Sequence, residues 1–260
     1  MQNSRSYIIC TTMRSGSTML ASGLRQTTIA GRPEEYFAPP VRLPQAQIFD
    51  MEPARYRSLL QAHREAHPAA KTLRHILEAG TTDNGVFGVK IHYQRPFSDF
   101  HNAVELLQAY FDDRLSSPAA LFSRAFPRLS YIWLRRCDRV EQAVSLFKAI
   151  KTSEFVRVEG VNEPVRPVHA DDFDASTIRR LADWLQSGDD AWRAFFSRYR
   201  IQPLTIDYED LAADYPSTLR SVLGYLGLAQ HCDVVTQTRH QRQSDEISKH
   251  WVTRFREMHA

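Results

Sequence analysis

The stretch that most constrains this chain is Ser6 to Leu24, SYIICTTMRSGSTMLASGL. Tyr7 to Cys10 is a short apolar, partly β-branched run and predicts a strand. Met19, Leu20 and Leu24 share one face of a predicted helix, with Gly23 beside them. Between the two lies Thr11 to Thr18, a turn of small hydroxyl residues carrying one permanent positive charge, Arg14. A strand, a tight turn and a helix start leave the first helical N–H groups without internal partners, and the helix dipole adds positive potential there. Gly16 lets the backbone come close to a ligand. Ser15, Ser17 and Thr18 add hydroxyls, and Arg14 adds a fork of donors matched to phosphate or sulfate oxygens. The turn reads either as an anion site or as a plain helix cap at Ser17 or Thr18. It is not a Walker A loop, which needs an earlier glycine and a lysine that are missing here.

A second stretch follows, Gly31-Arg32-Pro33-Glu34-Glu35-Tyr36-Phe37. Together with Arg14-Ser15-Gly16-Ser17-Thr18 after an N-terminal strand, it resembles the trehalose 2-sulfotransferase family. The resemblance implies a P-loop-like three-layer α/β fold with a central, mainly parallel sheet flanked by helices, as one domain over residues 1–260. It implies transfer of a sulfuryl group from 3′-phosphoadenosine 5′-phosphosulfate (PAPS) to a hydroxyl of a carbohydrate or glycolipid acceptor, a trehalose-like sugar being the first guess. It also implies a homodimer. In the wider superfamily the loop holds the 5′-phosphosulfate, usually with a lysine where this chain has Arg14.

Composition sets the outer limits. A chain of 260 residues with 43% hydrophobic content can build one large α/β core. A net charge of +3, spread along the chain, suits an anionic ligand and gives no argument for nucleic acid. Cys10, Cys137 and Cys232 are odd in number, far apart and without metal spacing, and are expected to be buried reduced thiols. His63, His67 and His75 make no convincing metal set. No signal peptide and no membrane span is legible, so the expected location is cytoplasmic.

Glu34 and Glu35 stand in a proline-rich loop flanked by Tyr36 and Phe37. The plain interpretation is a solvated acidic pair. The functional one is a general base, because a sugar hydroxyl attacks only as a carboxylate takes its proton. The family's catalytic glutamate matches Glu35, and Tyr36 could stack on a sugar face. Glu52 to His67 and Lys71 to Ala79 are predicted helices, Asp83-Asn84-Gly85 a turn, and Val86 to His92 a buried strand. Lys90 near the end of that strand either snorkels to the surface or points into a site. The family has a similar lysine near the acceptor and the sulfuryl group.

Leu129 to Arg136 is a β-branched and aromatic strand ending in two arginines; Asp138 can cap the helix that follows, and Ser145 lies two turns into it. In sulfotransferases an arginine and a serine at these places bind the 3′-phosphate, which picks Arg136, with Arg135 as its rival, and Ser145. Two phosphate sites at the C-terminal ends of adjacent strands suit a nucleotide lying across an open parallel sheet. Ser176 to Arg200 is a long amphipathic pattern that Gly188 divides in one reading, and its aromatics are expected in the core. Tyr208-Glu209-Asp210-Leu211 at a strand-to-helix junction recurs in sulfotransferases as a structural element. The resemblance also puts Arg242, in a C-terminal R-Q-x-D segment, at the 3′-phosphate. No metal is expected, since no magnesium-binding acid is evident. Two other classes share parts of this pattern: a nucleotide kinase or phosphotransferase, and a non-catalytic module binding an anionic nucleotide.

Overall fold

The computed structural model describes residues 5–38, 69–94, 98–152, 154–155, 167–230 and 245–259. The expected helix over Glu52–His67, most of the irregular stretch after Ser153, Cys232 and Arg242 lie outside the described residues.

Four parallel strands form the sheet. They are β1 (Arg5–Thr11), β2 (Val86–His92), β3 (Leu129–Arg135) and β4 (Leu204–Asp207), in the order β2-β1-β3-β4. Ile9 sits opposite Lys90 on one side and Ile132 on the other, so the strand that enters the anion-binding turn lies inside the sheet. Both faces of β1 are covered, which is why Tyr7 to Cys10 reads as a continuous apolar run.

Strand alternation divides the core. On one face, Tyr7, Ile9, Ile132 and Leu134 pack against Leu20 and Leu24 of α1 (Ser17–Gln26). The other face, with Ile8, Cys10, Val89, Ile91 and Trp133, packs on Leu73 and Ile76 of α2 (Ala69–Gly80), on Phe100 of α3 (Asp99–Phe111) and on Phe122 of α4 (Pro118–Ala125). Two more helices carry the site: α5 (Arg139–Thr152), after β3, and α6 (Ala175–Tyr199). Phe147 of α5 and Leu181 and Leu185 of α6 enclose a third cluster with Trp251 of α9 (Glu246–Glu257). The helices α7 (Tyr208–Ala213) and α8 (Tyr215–Tyr225) complete the α1 face. Layers of helix, parallel sheet and helix give the expected three-layer α/β fold. Each fully buried large side chain, such as Trp192 or Trp251, contributes roughly 1.5–3 kcal/mol.

Three expectations need correction. Helix α1 stops at Gln26, well before Gly31, because Thr27 accepts and donates locally: its hydroxyl bonds the Leu24 carbonyl, and the Ala30 N–H donates to it. Gly188 does not divide α6, which runs unbroken. Its missing side chain is used for contact instead, since a Cβ there would come 2.8 Å from Thr12 and Gln94. Cys137 is exposed in the turn after β3, while Cys10 is buried as expected.

Candidate active site

The turn between β1 and α1 is shaped from behind. Gly16 precedes α1 at φ 84°, and no side chain caps the helix there, so the plain cap at Ser17 or Thr18 is not what forms. Arg14 also takes a left-handed conformation. Ser15 is fully buried, and its hydroxyl pairs with that of Thr11, which also donates to the Leu134 carbonyl at 3.0 Å. The expected Ser15 hydroxyl donor is therefore spent on holding the turn, and only its backbone N–H can serve an anion. Helix α6 fixes the other side. Trp192 Nε1 donates to the Thr11 carbonyl at 3.0 Å, and Asp189 accepts from Thr12 at 3.5 Å while paired with Arg139. Gln142 donates to Thr12 and to the Met13 carbonyl.

At one end of the turn the structure brings Arg14, Ser145 and Arg136 together. Arg14 Nε donates to Ser145 Oγ at 3.1 Å, and its terminal nitrogen donates to the Phe155 carbonyl. Burial, joined by the nearby Arg136 charge, pushes the Arg14 guanidinium down to about 10, so it stays charged at neutral pH. Arg136 is 7% exposed and donates to Glu141 Oε2 at 2.7 Å. Its Nε is buried without a partner. Two guanidiniums held close, one with an unspent buried donor, form a place that an anion relieves. Arg135 does something different: it forks onto Asp207, its register partner on β4, at 2.5 and 3.3 Å. Of the two arginines, Arg136 faces the turn.

At the other end stand Glu35, Lys90 and Thr18. The Lys90 N–H on the outer edge of β2 donates to the Glu34 carbonyl at 3.0 Å, which lays the glutamate segment along that edge. Lys90 Nζ is 2.8 Å from Glu35 Oε1 and 3.3 Å from Thr18 Oγ1, so the lysine points into the site and does not snorkel. The lysine side chain is 4% exposed and that of Glu35 43%. Burial would raise the Glu35 carboxyl, but His92 and Lys90 outweigh it and hold it at about 2. Glu34 is occupied elsewhere, paired with Arg25 of α1. Tyr36 is anchored by its hydroxyl to the Arg32 carbonyl at 2.7 Å.

Tyr208 and Glu209 were set aside in the sequence as structural, yet they join the site. The Arg136 guanidinium lies 4.5 Å from the centre of the Tyr208 ring, and a Cβ on Gly16 would meet the same ring at 2.5 Å. The Glu209 carboxylate accepts the Cys137 and Asp138 N–H groups at 3.2 Å, which fixes the turn just after Arg136. Their position at a strand-to-helix junction was the signal for both. Among the described residues no group of three or more His, Cys, Asp or Glu side chains is arranged to hold a metal, and no helix is long and apolar enough to cross a membrane.

A model of the Stf0 sulphotransferase family matches residues 6–258. The chain belongs to the Stf0 sulphotransferase family. It is therefore an enzyme of sulfuryl transfer, and the turn, the two arginines and the glutamate lie within the matched range. Two curated relatives are similar over nearly their whole length. The chain is 29% identical over 259 residues to the trehalose 2-sulfotransferase of Mycolicibacterium smegmatis, covering 96% of this chain and 94% of that one. It is 29% identical over 266 residues to the trehalose 2-sulfotransferase of Mycobacterium tuberculosis, covering 97% and 94%.

Proposed function

We propose that this Stf0 sulphotransferase moves the sulfuryl group of PAPS to a hydroxyl of a carbohydrate or glycolipid, with Glu35 as the general base. The observation that carries this is the placement of Lys90, whose one ammonium reaches both the Glu35 carboxylate and Thr18 at the start of α1. It joins the group that would take a proton to the backbone amides that would face an anion. Trehalose is the first acceptor to try, because both relatives carry it in their names.

PAPS, when bound, supplies an activated sulfuryl group on a bisphosphate leaving group. The residues that fit its 5′-end are the backbone N–H groups from Ser15 to Thr18 with the Ser17 and Thr18 hydroxyls. Those that fit its 3′-phosphate are Arg14, Ser145 and Arg136, with the unpartnered Arg136 Nε as the donor that answers the fit. Lys90 then takes the role of cation beside the transferred group that the sequence gave to Arg14, since Arg14 is turned toward Ser145. A carboxylate held at about 2 is ionised at neutral pH but only weakly basic. As Lys90 turns toward charge developing on the sulfuryl oxygens, its hold on Glu35 loosens and the carboxylate becomes a better base when the hydroxyl proton must leave. Tyr36, beside Glu35, offers a ring to the sugar.

Calorimetry with adenosine 3′,5′-bisphosphate against magnesium ATP tests the donor assignment. Tight bisphosphate binding with weak ATP binding is expected. Preference for magnesium ATP would move the protein to phosphoryl transfer. Labelled PAPS with trehalose and other sugars then identifies the acceptor.

A further inference from the structure

Two residues beyond Lys90 on the same strand, His92 has no place in the mechanism above, yet it is among the most tightly held polar groups near the site. Its side chain is 10% exposed, and that of Asp99, the first residue of α3, is 6% exposed. One oxygen, Asp99 Oδ2, accepts both the His92 backbone N–H at 3.0 Å and His92 Nδ1 at 2.9 Å. Ser98 Oγ adds a bond to the His92 carbonyl at 3.2 Å. With Nδ1 committed to Asp99, the ring's orientation is fixed and Nε2 is the nitrogen left to act.

The edge of β2 shows where that ring sits. Alternate outward N–H groups, those of Lys90 and His92, go to the Glu34 carbonyl and to Asp99. The glutamate loop and the start of α3 are thus neighbours along one strand edge. Lys90 and His92 alternate by two and share a face, ~7 Å apart along the strand. Their side chains are the two cationic groups from β2 on the side where Glu35 lies, and His92 is the largest of the charges that favour its ionised form. The groups that face His92 in turn are Asp99 from α3 and Glu35 from the loop.

We infer that His92, oriented by Asp99, is a positioning residue for Glu35, holding the carboxylate in place and ionised while Lys90 is engaged with the transferred group. This rests on Glu35 as the base proposed above. A lysine that serves both the carboxylate and the sulfuryl group cannot by itself keep the carboxylate charged throughout. A second, fixed cation on the same strand face removes that conflict, and a protonated imidazole between two carboxylates meets the need.

The test is titration of the Glu35 carboxyl by carbon NMR in full-length protein, wild type against His92→Gln and Asp99→Asn. The expected result is an upward move of about 1–3 pH units in His92→Gln and a smaller move in the same direction in Asp99→Asn. The acid limb of kcat/KM should move up with it. An unmoved Glu35 titration in folded variants would overturn the inference and leave the pair as a fastener between β2 and α3. Bisphosphate affinity reports whether each variant is folded; if His92→Gln is not, the Asp99→Asn titration decides by the same criterion. A wild type that transfers no sulfuryl group would sink the proposed function but not this titration, so the two failures are separable.

Discussion

Arg14 and Ser145, 131 positions apart in the chain, meet at 3.1 Å at the mouth of the parallel sheet. That contact ties the turn after β1 to the helix after β3 and places two donors beside Arg136. If they hold a 3′-phosphate together, Arg14→Ala and Arg136→Ala should each weaken binding of adenosine 3′,5′-bisphosphate by about ten- to a hundred-fold, the range of a lost charge-assisted hydrogen bond. Arg135→Ala should leave affinity nearly unchanged and lower stability instead, because its guanidinium is bound to Asp207. Calorimetry on the three variants separates these outcomes. Equal binding by Arg14→Ala and Arg136→Ala would remove both from the site.

Glu35→Gln should spare nucleotide affinity and lower kcat by roughly 10²–10⁴, the usual worth of general-base assistance. The amide keeps the shape beside Lys90 and loses the ability to accept a full proton. Steady-state rates with labelled PAPS and a sugar acceptor read this directly. A variant that turns over normally would take Glu35 out of the chemistry.

Gly16→Ala should be costly twice over. The backbone sits at φ 84°, which costs roughly 1–2 kcal/mol for a residue with a Cβ, and that Cβ would lie 2.5 Å from the Tyr208 ring. A fall in Tm of several degrees, ~2–4 °C per kcal/mol, is expected with a loss of bisphosphate affinity as the ring and Arg136 shift. Adding Tyr208→Ala should recover part of the stability and none of the affinity.

Stability should also carry a pH signature at the C-terminal helix. Asp245 caps α9 and pairs with Lys148 of α5. Burial would raise its carboxyl, but Lys148 and the Ser248 N–H and hydroxyl hold it at about 2. A carboxyl lowered on folding stabilises above its ordinary range, and that stability fades as pH falls toward 2. Lys148→Met should therefore melt below wild type at pH 7, and the gap should close between about pH 4 and 2. A gap that stays constant across that window would rule out the pair as its source.

Much of this was legible locally. The runs at Tyr7–Cys10, Val86–His92 and Leu129–Arg135 announce strands because both faces of this sheet are covered, and the hydroxyl-rich turn announces a helix start without a Walker lysine. Side-chain direction was not legible. Whether Ser15 faces a ligand or Thr11, whether Arg14 reaches toward Glu35 or Ser145, and whether Gly188 ends a helix or admits a neighbour all depend on elements far away in the chain. Arg135 and Arg136 are indistinguishable by type and separate only once β4 brings Asp207 to the first of them. The same holds for His92, whose partner Asp99 looks in sequence like an ordinary acid in the first turn of a helix.

The strand order has a consequence for how the molecule is made. β1 lies inside the sheet, yet its partners are far downstream: Ser6 waits for Phe87 on one side and Leu129 on the other. At ~5–20 residues per second of synthesis, Tyr7 to Cys10 spend several seconds outside the ribosome before β2 exists to pair with them. During that time a fully apolar strand has two open edges. The segment that later carries the anion-binding turn is thus the one most exposed to wrong pairing in the nascent chain.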